Sequence, residues 1–327
     1  MPSDTTAAAP PVRNLYLLGI IAALAGAAFF ATKGIIIKLA MVEGVDAVTT
    51  LTWRMIVAVP IFVAVGILGY RRRLAAQPAG APPLLTGKLM LRTLAVGAMG
   101  YYLSSFLDFQ ALEYISAQLD RLILLTYPFF VVLFGWIFYR LPVTSGAVGA
   151  MLLSYVGITV IFWRDFSFEG QDVVLGSLLV LAASVVYAGY QILAKPLIDR
   201  MGAQLFTSIA MCGAGPMSLL HFLLTHPASD LAVNGNAFLL MLAIGTIATV
   251  VPAYCISTAI GLVGPERTAV VGNISPIVTV GLAVTILGEA FTLWHAAGTV
   301  LVLLGVWLFS RKAKPKKAQV EAAEVEP

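Results

Sequence analysis

Long stretches of this chain contain no charged residue at all. Leu141–Trp163, Val173–Ala194, Thr268–Gly288 and Ala290–Ser310 are each free of Asp, Glu, Lys and Arg. About 20 apolar residues in a helix cross a hydrocarbon layer about 30 Å thick. Each of these runs is longer than that, so each predicts a membrane span. The composition agrees: 60% of residues are apolar and 11% charged, against roughly 45–50% and about 25% in soluble domains. That leaves too little polar surface to wet a soluble domain of 327 residues.

Further charge-free runs lie at Asn14–Thr32, Leu122–Tyr139, Met201–Ser229 and Leu231–Pro265. Two apolar runs are interrupted by a charge, Val48–Leu68 by Arg54 and Thr93–Ala111 by Asp108. The sequence thus predicts an all-α integral membrane protein of ten helices, at 15–39, 48–68, 92–111, 117–139, 143–163, 173–194, 203–225, 237–260, 268–288 and 291–310. Lys and Arg in short loops mark the cytoplasmic side. With the N-terminus inside, cytoplasmic segments hold 15 of the 20 basic residues, and the outer loops hold only Arg164. Both termini are therefore expected in the cytoplasm, as tails 1–14 and 311–327, the second basic and then acidic. The first apolar run is longer than a signal-peptide core and carries Lys33 and Lys38 near its far end, which argues against a cleaved leader. Cys212 and Cys255 sit inside apolar runs and read as small buried hydrophobes.

The chain also matches itself. Laid over itself so that Gly19 falls on Gly176, it also places Phe30 on Tyr187 and Lys38 on Lys195. A slightly smaller shift places Ala111 on Ala259, Pro128 on Pro276, Thr144 on Thr292 and Gly157 on Gly305. The linker Arg71–Leu85 absorbs the difference. Two five-helix units, 15–163 and 173–310, follow from this. Five is odd, so the second unit enters the membrane inverted. Inverted repeats are a signature of secondary transporters with a site near the bilayer midplane.

These units resemble the EamA type of the drug/metabolite transporter superfamily. The likeness rests on Ala111–Ser116 followed by Tyr127-Pro128, and on Ser275-Pro276 followed by Leu287–Thr292. Lys38 and Lys195 resemble the family's lysine at the end of the first helix of each unit, and Thr52-Trp53-Arg54 its arginine in the second. The family's Glu after the fourth helix is present as Glu289, but Tyr139-Arg140-Leu141 stands in its place in the first unit. The resemblance covers about 15–310. It implies ten helices around a central cavity, with export or exchange of small metabolites, amino acids among them.

Ionisable residues inside spans are costly and mark function by default. At a rise of about 1.5 Å per residue, Lys33, Arg54, Asp108, Asp120 and Arg121 all fall in the outer half of the first unit. Their repeat mates Tyr190, Met211, Ile256, Thr268 and Ala269 are uncharged. Two readings stand. Either the arginines neutralise the aspartates in a structural network while Lys33 reaches for the interface, or a cation meets a substrate carboxylate or phosphate while an Asp takes up a proton. Pro128 and Pro276 fall near the middle of helices 4 and 9 and are hinge candidates, because each removes one helical N–H and crowds the carbonyl four residues back. Polar and aromatic candidates around them are Tyr101, Tyr127, Tyr187, Tyr190, Gln191, Asn273 and Ser275. Lys38 and Lys195 read as interfacial anchors, and His221, His226 and His295 are given no role.

No P-loop, dinucleotide fingerprint, zinc motif or nucleophile elbow is present. No catalytic residue, metal or cofactor is expected, and no nucleic acid. The expected function is secondary transport by alternating access in a plasma membrane, the bacterial inner membrane foremost. Export of amino acids or related solutes leads. An organic or phosphorylated anion held by Arg54, Arg121 or Lys33 is the alternative, and a non-transporting scaffold or intramembrane enzyme is the reading from another class. Small-molecule substrate, bilayer lipid and protons are the expected partners; monomer and homodimer both stay open.

Overall fold

The computed structural model describes residues 12–77, 83, 85–140, 143–263, 268, 271, 272 and 274–312. Asn273, Arg267 and most of both tails lie outside these. Among the described residues the regular elements are all helical. In chain order they are α1 (Val12–Ala31), α2 (Lys33–Val42), α3 (Ala47–Ala75), α4 (Gly87–Gly97), a π-helical turn (Ala98–Leu103), α5 (Ser104–Ala111), α6 (Ala117–Leu124), α7 (Tyr127–Tyr139), α8 (Ser145–Glu169), α9 (Asp172–Met201), α10 (Ala203–Thr225), a 3₁₀ turn (Ala228–Leu231), α11 (Gly235–Gly245), a second π-helical turn (Thr246–Val250), α12 (Val251–Val263), α13 (Ser275–Ile286) and α14 (Leu293–Lys312).

Among the described residues, seven helical stretches are long and apolar enough to cross a membrane: Leu15–Val42, Ala47–Ala75, Ala117–Phe138, Ser145–Ser167, Asp172–Met201, Ala203–Thr225 and Gly235–Ile256. Gly87–Ala111 is also helical throughout, but Lys88, Arg92 and Asp108 dilute its apolar character. The helix starts carry side-chain caps where hydroxyl, amide or carboxylate residues precede them: Asp46 accepts from the Val48 and Thr49 amides, Ser116 from Leu119, Thr144 from Ala147 and Asn234 from Ala237. Such caps satisfy amides that have no partner within the helix. One expected boundary shifts. The helix from Ala47 continues to Ala75, so Arg71–Arg73 belong to its last turns and not to the linker. There Arg73 donates to the Met201 carbonyl at the end of α9.

Packing between helices follows a paired pattern. α1 lies along α12, and α9 along α5. α3 meets α11, and α10 meets α4; α9 meets α7, and α1 meets α13. Three further contacts join a span to its own repeat mate: α3 with α10, α8 with α14, and the α6–α7 span, through α6, with α13. The pattern is unchanged when each helix is exchanged for its mate in the other unit.

The irregularities recur in the same register. The π turns begin at Ala98 and Thr246, which are repeat mates. Non-helical breaks precede Tyr127 and Ser275, again repeat mates. Pro128 and Pro276 are therefore second residues of new helices, not kinks inside continuous ones. Physical chemistry favours this place: proline has no N–H to give, and the first turn of a helix needs none there. Proline alone does not break these helices, since Pro60, Pro196 and Pro216 lie inside unbroken ones. At the first break Thr126 also turns its hydroxyl back to the Ile123 carbonyl, at 2.7 Å.

The α8–α14 pair is built on glycine. A Cβ on Gly157 would sit 2.6 Å from the Gly298 carbonyl oxygen and 2.9 Å from Leu301 Cβ. Gly157→Val should push the two helices apart and lower the thermal unfolding midpoint in detergent, with a cost of roughly 1–3 kcal/mol as for other overpacked sites. Gly149→Val, at a position with open space, should leave the midpoint nearly unchanged.

Candidate functional site

α1 ends at Ala31, and Thr32 makes a single turn closed by its hydroxyl on the Phe29 carbonyl, at 2.7 Å. Lys33 then opens α2, 8% exposed. Its Nζ donates to Asp108 Oδ2 at 2.6 Å. Asp108 lies on α5 and is 2% exposed. The expectation that Lys33 reaches for the interface is corrected here: burial beside a carboxylate holds it inside.

Aromatic rings flank the lysine. Nζ lies 5.6 Å from the Phe30 ring centre and 5.5 Å from that of Phe109. The Arg54 guanidinium carbon is 5.6 Å from the Phe109 ring centre, and that of Arg121 is 4.8 Å from Phe30. The result is a string of three cations separated by two rings: Arg121, Phe30, Lys33, Phe109, Arg54. Each cation–ring contact in a desolvated site is worth about 2 kcal/mol. The rings also keep like charges apart.

The arginines do not neutralise the aspartates directly. Arg54 Nε donates to Thr249 Oγ1 at 3.0 Å, and Nη1 to Ser105 Oγ at 2.9 Å. Arg121 Nη2 donates to Ser275 Oγ at 2.6 Å. Among the described residues neither guanidinium lies within ion-pair distance of a carboxylate. Asp120, one residue before Arg121, is 3% exposed, and its Oδ1 has no hydrogen-bond partner. Asp108 Oδ1 and Arg121 Nε are also buried without one. The cluster holds three cations and two carboxylates, and acceptors on both carboxylates are left unused.

Exposure divides the site. Lys33, Arg54, Asp108 and Asp120 are buried, whereas Arg121 is partly open. So are Tyr101, Tyr127, Tyr187 and Gln191. Tyr127 and Tyr187 meet edge to face at 4.9 Å, and Tyr187 stacks on Tyr190 at 5.5 Å. The buried Tyr190 donates its hydroxyl to Tyr101 at 3.1 Å. Arg121 lies within electrostatic reach of the Tyr127 and Tyr187 hydroxyls. The structure thus joins Arg121, Tyr127, Tyr187, Tyr190, Tyr101 and Ser275 around one region, with the lysine and the other arginine sealed behind it. Asn273 lies outside the described residues. Two surface clefts of about 220 and 440 Å³, one beside Arg72 and Gln204 and one beside Trp163 and Trp294, contain none of these residues.

Sequence reasoning missed Thr249, Ser105 and Phe30, and had Phe109 only as one of several helix-3 aromatics. Thr249 carried a readable signal, since it is the repeat mate of Tyr101, and both sit in π turns. Such turns occur often at functional sites. Phe30 and Phe109 look like any other apolar span residue until the helices are packed.

Removing Asp108 should test the core of this arrangement. Asp108→Asn should destabilise the folded protein by about 3–5 kcal/mol, because it leaves a buried lysine uncompensated. The double variant Lys33→Met/Asp108→Leu should recover most of that loss. Thermal melts of the two variants and the parent in one detergent measure both.

Three comparisons bear on what carries this geometry. The EamA-like transporter family matches residues 17–163 and again 174–311. The uncharacterized transporter YcbK of Bacillus subtilis (strain 168) is 28% identical over 294 residues, covering 86% of this chain and 88% of its own length. An uncharacterized transporter of Archaeoglobus fulgidus is 27% identical over 208 residues, covering 61% of this chain and 70% of its own. A protein of known crystal structure shares the fold at a TM-score of 0.57 and 19% identity, over 96% of this chain and 99% of that one. The chain belongs to the EamA-like transporter family and is a multi-pass membrane protein.

Proposed function

We propose that this protein is a secondary transporter that exports small metabolites bearing a carboxylate, amino acids or related solutes foremost, by alternating access. Ten spans as two inverted five-helix units, with both termini in the cytoplasm, form its frame in a bacterial inner membrane. The seven long apolar helices supply most of these spans. Gly87–Ala111, α13 and α14 supply the rest. Helix contacts that survive exchange of the two halves suit a machine in which one half rocks against the other.

The observation that carries the substrate reading is Arg121. It is the partly open cation of the cluster, one side stacked on Phe30, one nitrogen tied to Ser275, and Nε without a partner. A guanidinium so placed takes a carboxylate through its free N–H groups. Tyr127 and Tyr187 then offer ring faces to an ammonium or side chain on the same solute. A second reading follows from the sum of charges: three cations against two carboxylates leave +1, which suits a doubly charged organic or phosphorylated anion.

Purified protein in liposomes should exchange labelled solutes from one of these groups. A folded preparation that moves no member of an amino-acid, organic-acid and sugar-phosphate panel would sink the reading. Arg121→Ala should raise the half-saturation concentration about 10- to 100-fold, the loss of a hydrogen bond to a charged group, with a fall in melting temperature no larger than that of Phe30→Leu/Ser275→Ala, which removes the same two contacts. A larger fall in melting temperature would instead make Arg121 a structural tie. Retained amino-acid exchange in Arg121→Ala, alongside loss of anion exchange, would select the second reading.

A further inference from the structure

The turn between α13 and α14 reaches across to the start of α6. Gly288, at φ +67°, makes the left-handed turn that leads into Glu289. Glu289 Oε1 accepts from the Ala117 amide at 2.7 Å, and Oε2 from the Gln118 amide at 3.2 Å. Ser116 takes the Leu119 amide at 3.1 Å. The first three amides of α6 are thus satisfied, two of them by a carboxylate from the opposite half. A negative charge at a helix N-terminus is also favoured by the helix dipole. The same short helix carries Asp120 and Arg121 one turn further on.

The other end of this turn is also anchored. His295 Nε2 lies 3.2 Å from Asp165 Oδ1 on α8, and the Thr292 amide donates to His295 Nδ1 at 3.2 Å. The turn is therefore a strap, held by His295 at one end and closed on α6 by Glu289 at the other.

The repeat makes this contact one-sided. The repeat mates of Glu289 and Ala117 are Leu141 and Pro265. Leucine has no acceptor, and proline has no N–H to donate. A carboxylate latch of this kind is chemically possible at one gate only.

We propose that Glu289 is a positioning residue that latches the outer gate: it holds α6 against α13 in the closed state and lets go when that gate opens. This rests on the alternating-access reading. It predicts that Glu289 biases the transporter toward the state closed on the Glu289 face, by the free energy of two hydrogen bonds to a charged group.

Ala31 supplies a reporter that needs no substrate. It is 2% exposed, and its carbonyl accepts from Thr279 of α13 across the adjoining α1–α13 contact. In a background with Cys212 and Cys255 changed to Ala, Ala31→Cys is treated with a membrane-impermeant maleimide from the Glu289 face. Adding Glu289→Gln should speed labelling about tenfold or more, while Glu289→Asp stays close to the parent. A control, Ala150→Cys in the buried α8–α14 interface (3% exposed), should not change. Unchanged labelling at position 31 in folded Glu289→Gln overturns the latch. Faster labelling at both positions, with an early melt, also overturns it and makes Glu289 a general structural cap. Should Glu289→Gln fail to fold, Glu289→Ala is read by the same rule: faster labelling at position 31 alone supports the latch, and unchanged labelling there or equal acceleration at both positions overturns it. In the same liposomes, wild-type protein that moves no solute yet shows the labelling response sinks the transport reading and leaves the latch standing.

Discussion

The Lys33–Asp108 pair is the contact on which the rest of the interior depends. Two charges leave water for a region where each costs several kcal/mol to desolvate, and only close approach offsets that cost. The 2.6 Å contact joins α2 to α5 through residues 75 apart in sequence. Once it forms, Phe30 and Phe109 must flank the ammonium, and those rings place Arg121 and Arg54 at either end. Arg54 is then aimed at Thr249 and Ser105, and Arg121 at Ser275. One ion pair thereby sets where the other two cations point, and two of the hydroxyls that hold them belong to the second half.

The two arginines turn to rings and hydroxyls because neither reaches a carboxylate. Lys33 uses one oxygen of Asp108, and Asp120 accepts nothing at Oδ1. The guanidinium N–H groups go to the neutral oxygens of Thr249, Ser105 and Ser275, and the planes lie over Phe109 and Phe30. Neutral partners hold a guanidinium without cancelling its field. Arg121 keeps its charge on its partly open side, which is what the proposed solute contact would use.

Much of the frame was legible in the chain itself. Charge-free runs located the helices, and the boundary at Ala203–Thr225 falls where the run 203–225 placed it. The five intramembrane charges were readable as one group because span depth follows from residue count. Their partners were not. Arg54 and Thr249 are 195 residues apart, and nothing local marks which face of a helix a threonine occupies when lipid and protein are both apolar. The same ambiguity hid Phe30 among many span phenylalanines. The helix breaks show a different limit. Proline flags a lost hydrogen bond, yet Pro60 and Pro216 leave their helices whole while Pro128 follows a break. At the break before Pro128 the Thr126 hydroxyl and amide both go to the Ile123 carbonyl.

The doubled architecture also explains why function should collect in one half. Exchange symmetry gives two equivalent gates and, with identical halves, two equal closed states. A chain built that way has no reason to favour either direction. Here the charges sit in the first half, and the mates of Lys33 and Arg54 are Tyr190 and Met211. Glu289 reaches α6 from the second half, and its own mate is a leucine. Both departures from symmetry meet at one end of α6, a helix of eight residues that bears Asp120 and Arg121 and is followed by a break. On the proposed alternating-access mechanism, symmetry supplies the two states, and the substitutions that violate it are what would let a solute distinguish one state from the other.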